Sequence, residues 1–185
     1  MEIEAQRIET PLGLIEFSLA MEDDRKEQKF SSAEIRIAAV APQLPTGMSV
    51  AGCYGAIASL TPAVELHDVQ FQAKLRATVP VDSGPETGEG LDAKGFRSSK
   101  YVLIVGTEDR DYLAARLAPG VEVPEFSHTY TPDSLSVRIA VAPAGTPITL
   151  HFIAAWNELP EPQDCSCWYA VDQPHQWLLS ALGAE

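Results

Sequence analysis

Cationic side chains are scarce in this chain of 185 residues: 13 Lys and Arg stand against 26 Asp and Glu, a formal charge of −13. A surface so acidic repels phosphate backbones and anionic lipid, so nucleic acid and membrane are not expected partners. Cysteine is scarce too. Cys53, Cys165 and Cys167 are an odd number and too few for a disulfide scaffold, which sets the expectation of a reducing, cytoplasmic compartment. Long apolar runs are missing, since nowhere do about 18 apolar residues follow one another. The uncharged stretch 37–64 comes nearest, but Pro42, Pro45, Gly47, Gly52, Gly55 and Pro62 interrupt it. In lipid that interrupted backbone would lack hydrogen-bond partners, so the stretch reads as buried or interface-facing chain. The start, Met1-Glu2-Ile3-Glu4, has neither the basic nor the apolar region of a secretory signal.

Catalytic signatures are also missing. There is no Gly-x-x-x-x-Gly-Lys-Ser/Thr phosphate loop and no His-Glu-x-x-His. Gly88-Glu89-Gly90 lacks the spacing of a dinucleotide fingerprint, and 47–52 is one residue too long for a nucleophile elbow.

What the chain has in abundance is alternation. Val69, Phe71, Ala73, Leu75, Ala77 and Val79 alternate with Gln70, Gln72, Lys74, Arg76 and Thr78, the pattern of a strand with one dry and one wet face. Leu135, Val137, Ile139 and Val141 repeat it, and Ile148, Leu150, Phe152, Ala154 and Trp156 repeat it again. Between these two runs, 143–147 carries the Gly and Pro of a hairpin connection, and 10–13 carries those of another. With 3–8, 14–19, 35–40, 101–105 and 165–171, about eight strands are expected. Helix signals are few: 107–117, with Thr107 as cap, and 176–182. The segment 49–60 is ambiguous, because its alanines favour helix while Gly52 and Gly55 oppose it. The charged stretch 21–29 reads as a loop, and 80–99, rich in Gly, Pro and acids, as a mobile one. The expectation is a single β-rich domain over 1–185, mainly antiparallel, a sandwich or partly closed barrel with one or two short helices. A mixed α+β arrangement is the alternative.

The densest run of chemistry-bearing residues is Asp164-Cys165-Ser166-Cys167-Trp168-Tyr169 through Asp172 to His175. On a strand, Cys165 and Cys167 share a face and could hold one soft ion such as zinc, with His175 closing from beyond Pro174 and Cys53 or His151 as fourth ligand. Structural zinc sites favour Cys pairs separated by two to four residues on a turn. The plainer expectation is therefore two small apolar core fillers and no cofactor. The surrounding acids Glu158, Glu161, Asp164 and Asp172 would raise a thiol pKa by repulsion, which disfavours a cysteine nucleophile. Strand alternation would place Trp168 on the polar face, partly exposed, as a contact residue. His151 falls opposite Leu150 and Phe152, beside Thr149, Ile153, Ala155 and Asn157. That face could line a pocket with His151 as acid or base and with Asn157 and Tyr169 orienting a ligand.

Two functions follow as expectations. The first is a non-enzymatic interaction module whose acidic rim selects a basic protein partner. The second is a ligand-binding protein or enzyme with its pocket on the His151 strand, metal-assisted through Cys165, Cys167 and His175.

Overall fold

The alternating runs segregate their apolar faces into two sheets. The computed structural model describes residues 4–21, 30–163 and 165–183. One sheet has the order β1 (Gln6–Thr10), β2 (Gly13–Ala20), β5 (Leu66–Ala77), β10 (Ser134–Ala142) and β9 (His128–Tyr130). The other has the order β3 (Phe30–Ala39), β4 (Gly52–Pro62), β11 (Ile148–Glu158), β8 (Tyr101–Glu108), β7 (Leu91–Arg97) and β6 (Asp82–Gly88). All neighbours are antiparallel and neither sheet closes on itself, so the architecture is the antiparallel β-sandwich that the alternation implies. Among the described residues three short helices complete it: α1 (Arg110–Arg116), α2 (Ser166–Val171) and α3 (His175–Leu182).

The core between the sheets is built on Phe17, Phe71 and Phe152, all fully buried, with ring centroids 4.9 to 6.4 Å apart. At one edge, Tyr130 of β9 donates its hydroxyl proton to Asp92 of β7 and so ties one sheet to the other. The six-stranded sheet has a second apolar layer on its outer face. Cys53, Ile57, Leu91, Ala93, Val102, Ile104, Ile153 and Ala155 meet Cys167, Ala170 and Val171 of α2 and Leu178 of α3. Two glycines permit this close approach. A Cβ on Gly106 would lie 2.8 Å from Val171, and one on Gly55 would lie 2.3 Å from Leu178.

Several expectations change. The segment 165–171 is not a strand: Cys167, Ala170 and Val171 follow the i, i+3, i+4 spacing of a helix face and bury it on the sheet. Residues 80–99 are not a loop but contain the β6–β7 hairpin, closed by Glu89 and by Gly90 at φ +80°. Pro85 is tolerated there because β6 is an edge strand. The 143–147 turn does not close a hairpin, because β10 and β11 belong to different sheets and the turn crosses between them. The ambiguous segment 49–60 contributes strand β4, and Asp109 rather than Thr107 caps α1, accepting from the Asp111 and Tyr112 amides at 3.0 and 2.9 Å. Of the charged loop expected at 21–29, all but Met21 lies outside the described residues.

Truncating the ring at the centre of the inter-sheet cluster leaves a cavity that two sheets cannot close. Phe152→Ala is expected to lower unfolding free energy by about 3–5 kcal/mol in urea denaturation. A loss below about 1 kcal/mol would contradict this packing.

Candidate functional site

On a strand buried on both faces, polar side chains need partners within the protein. β11 carries Thr149, His151 and Asn157 on its outer face, and β8 ends with Glu108 beside the first two on the same face of the sheet. α1 brings Arg116 back over Glu108 in its last turn. The guanidinium Nε donates to both carboxylate oxygens, at 3.0 and 3.1 Å, and Nη2 donates to Glu108 as well. Arg116 also reaches β11, where Nη1 donates to Thr149 Oγ1 at 3.2 Å and Nη2 to the Thr149 carbonyl at 2.9 Å.

The last member arrives from the C-terminal segment. α3 begins at His175 directly after Pro174, whose fixed φ suits a helix entry. This start points the His175 ring at His151, with Nδ1 to Nδ1 at 2.8 Å and Nε2 at 3.1 Å from Thr149 Oγ1. His151 Nδ1 also lies 3.8 Å from Glu108 Oε1. Among the described residues, Glu108, His151 and His175 form the one group of three His, Cys, Asp or Glu whose ligand atoms all lie within 4.8 Å of one another. Above them opens a cleft of about 470 Å³, lined by Glu89, Leu91, Glu108, Tyr112, Arg116, Asp172, Gln173 and His175, among others. His151 lies beneath the cleft, 1% of its side chain exposed, and His175 forms part of its wall.

Burial holds both imidazoles well below their ordinary pKa, and the positive charge of Arg116 pushes in the same direction. Both rings are therefore neutral at physiological pH. In the pair one Nδ1 donates and the other accepts, and Thr149 faces the remaining nitrogen of His175. Arg116, Thr149, His175 and His151 thus form one hydrogen-bonded chain from the wall of the cleft to the sheet.

The residues singled out in the sequence are distributed differently. His151 does face a polar cluster, but Asn157 and Tyr169 do not share it. Asn157 is a clip at the far end of β11: its Oδ1 accepts from the Ala51 amide at 2.7 Å, and its Nδ2 donates to the Ser49 carbonyl at 2.9 Å and to Glu161 at 3.3 Å. Tyr169 is exposed on α2, edge-on to Trp168. Trp168 packs over Gly88 of β6 and against the outer core, partly buried instead of standing on an open strand face.

The Cys165, Cys167 and His175 set is not assembled. Cys165 is exposed before α2, whereas Cys167 points into the outer core, because a helix does not place i and i+2 on one face. Burial pushes the Cys167 thiol up, and pushes that of Cys53 up to about 12, so neither is a ready thiolate. In sequence Glu108 reads only as an acid at the start of the 107–117 helix, and Arg116 carries no site signal of its own. Their available signal was the spacing of eight residues that closes an ion pair across the β8–α1 turn.

The chain is thus an antiparallel β-sandwich with a Glu–Arg–His–His cluster, its imidazoles buried, in a gap of its helical cover. No protein-family model matches it, and no curated protein matches it. Among solved structures, a chain described as a kojibiose phosphorylase from human microbiome superposes on 91% of this chain, at 8% identity and a TM-score of 0.39. This chain spans 20% of that structure's length. A likeness so loose carries no argument about activity. No helix among the described residues is long and apolar enough to cross a membrane.

The buried pair makes stability depend on pH with a definite sign. In the unfolded chain both imidazoles protonate near pH 6.5, while in the folded chain they resist protonation. Below about pH 6.5 the unfolded state binds more protons, so stability is full above that pH and is lost as pH falls through it. Between pH 7 and pH 5 each ring is expected to remove on the order of 2 kcal/mol, and His128, also buried and shifted down, adds in the same sense. Urea midpoints measured against pH check this, and His175→Gln should flatten the slope. A slope that His175→Gln leaves unchanged would mean that His175 titrates alike in the folded and unfolded chain, and would contradict its burial as a neutral ring.

Proposed function

We propose that this chain is a small-ligand-binding β-sandwich protein whose site is the cleft above Glu108, His151 and His175. One observation carries the reading. Where α2 and α3 cover the sheet with apolar side chains, this patch holds a carboxylate, a guanidinium and two imidazoles in contact beneath an open cleft. A buried ionic cluster is a poor means of stabilisation, since apolar residues of the same volume do as well or better. Shifted titratable groups converging in a cleft are the usual mark of a binding or reactive site. His175, on the cleft wall and backed by the relay to His151, is the group placed to exchange a proton with a bound molecule.

Imidazole proton resonances of the full chain, followed against a panel of organic amines, carboxylates, phosphates and sugars, test the reading. At least one class is expected to shift the His175 signals. Tyr112→Ala, which removes an exposed aromatic wall without touching the cluster, should weaken that response by about tenfold, the ~1.4 kcal/mol of one aromatic contact. Imidazole signals indifferent to every class would overturn it.

A second reading, docking of a basic protein, is supported by the charge of −13 together with Phe126, which stands 80% exposed just ahead of β9. An aromatic ring at the centre of an acidic contact is the usual anchor of such an interface. Association that ignored both salt concentration and Phe126→Ala would remove this reading.

A further inference from the structure

We infer that Glu108, His151 and His175 form a binding site for one divalent transition-metal ion of the zinc type, entered through the cleft. The inference rests on the reading of the cleft as a ligand site and names the ligand. The ion takes one carboxylate oxygen and two imidazole nitrogens, a donor set that suits zinc and leaves a fourth position open toward the cleft.

The geometry is close to that of a coordination sphere. Bonds of about 2.0–2.2 Å in a tetrahedron separate the ligand atoms by about 3.3–3.5 Å. Here the two Nδ1 atoms are 2.8 Å apart, and His151 Nδ1 is 3.8 Å from Glu108 Oε1. An ion is accommodated when the imidazoles part by roughly half an ångström and the carboxylate closes on both, from ligand atoms that all lie within 4.8 Å of one another.

The outer partners fit as well. A metal-bound histidine normally donates its other N–H to an oxygen, which fixes the tautomer. His175 Nε2 has Thr149 Oγ1 at 3.1 Å for that purpose. With the proton on Nε2, the Nδ1 lone pair faces the ion. Thr149 Oγ1 can accept from both His175 and Arg116, because a hydroxyl has two lone pairs. Arg116 donates twice to Glu108 Oε1 and once to Oε2, so of the carboxylate's about four lone-pair positions the one left open for the ion is on Oε2.

Charge supports the same ligand. The cleft lining contains Glu89, Glu108 and Asp172 against Arg116, a formal charge of −2 that a divalent cation balances. The guanidinium opposes a cation at close range, which sets the expectation of moderate affinity.

The test uses the full chain after exhaustive dialysis against chelator. Cobalt(II) is added while visible absorption is recorded, and zinc(II) is then used to displace it, with heat of binding measured in parallel. One equivalent of cobalt should give intense low-symmetry bands that zinc abolishes. His175→Ala and His151→Ala should weaken binding by at least about 100-fold, and Thr149→Val, which keeps all three ligands, by about 10–100-fold. Circular dichroism reports whether each variant is folded, and Glu108→Gln is a further ligand variant should either alanine variant unfold. Equal binding by wild type and a folded ligand variant would overturn the inference, as would wild type that binds neither metal. In the second case, imidazole resonances that still respond to an organic molecule leave the cleft reading standing without the metal. Silence toward both removes both.

Discussion

Strand β11 has no solvent face. Its inner residues Ile148, Leu150, Phe152 and Ala154 belong to the core between the sheets, and its outer residues Ile153 and Ala155 belong to the layer beneath the helices. An antiparallel sheet can leave one face wet, so a strand buried on both faces requires a cover supplied from elsewhere. The cover is the chain that follows β11 itself. α2 and α3 fold back over β8, β11 and β4, admitted at close range where Gly106 and Gly55 have no side chain to displace. Once the cover is in place, each polar group on the outer face of β11 must find its partner beneath it. The polar contacts of Thr149, His151 and Asn157 follow from that requirement.

The sheets were readable because alternation is a property of neighbouring residues. Residues 69–79 and 134–141 declare one dry face and one wet face, and the structure buries Val69, Phe71, Ala73, Leu75, Leu135, Val137 and Ile139 as declared. The pattern fails at its ends: β5 stops at Ala77 with Ala77 and Val79 exposed, and Ser134 and Ser136 of β10 are buried as well. β8 is less legible, because 102–105 is apolar on both faces and such a run fits a buried strand or a buried helix equally. The segment 165–171 misled for a related reason. Read at period two, it offers Cys165, Cys167, Tyr169 and Val171. Read at period 3.6, it offers Cys167, Ala170 and Val171, and only the second set meets a surface that needs covering. The β6–β7 hairpin was concealed by composition, since Gly84, Pro85, Gly88 and Gly90 are loop formers that an edge strand and a tight turn also accept.

The site was legible to half its depth. His151 stood out because it lies on the strand face opposite Leu150 and Phe152, where a pocket could form, and His175 only as a ligand closing on Cys165 and Cys167 from beyond Pro174. That the two meet is a consequence of the cover, which places α3 so that Leu178 rests on Gly55 while its first residue reaches β11. Glu108 and Arg116 are ordinary charged residues in sequence and become distinctive only when α1 turns back over the end of β8. No local pattern encodes that turn beyond the Asp109 cap, and the cap says where a helix begins, not what its far end touches.

The position of the cleft follows from the same geometry. The apolar face of α2 ends at Val171, and α3 does not resume the cover until after His175, so 172–174 crosses the outer face of the sheet without regular structure. On the other side α1 stops at Arg116, and the β6–β7 turn contributes Glu89 and Gly90. Three elements thus end around the same patch, and none of them lays an apolar face across it. Filling it would require apolar residues in place of the whole cluster, since a leucine at Glu108 alone would strand the partly buried Arg116. A whole replacement of that kind is often neutral or stabilising. The polar cluster is therefore not what the fold needs to close its outer layer. It occupies a gap in the cover that opens to solvent, and a molecule or ion entering there meets His175 before His151.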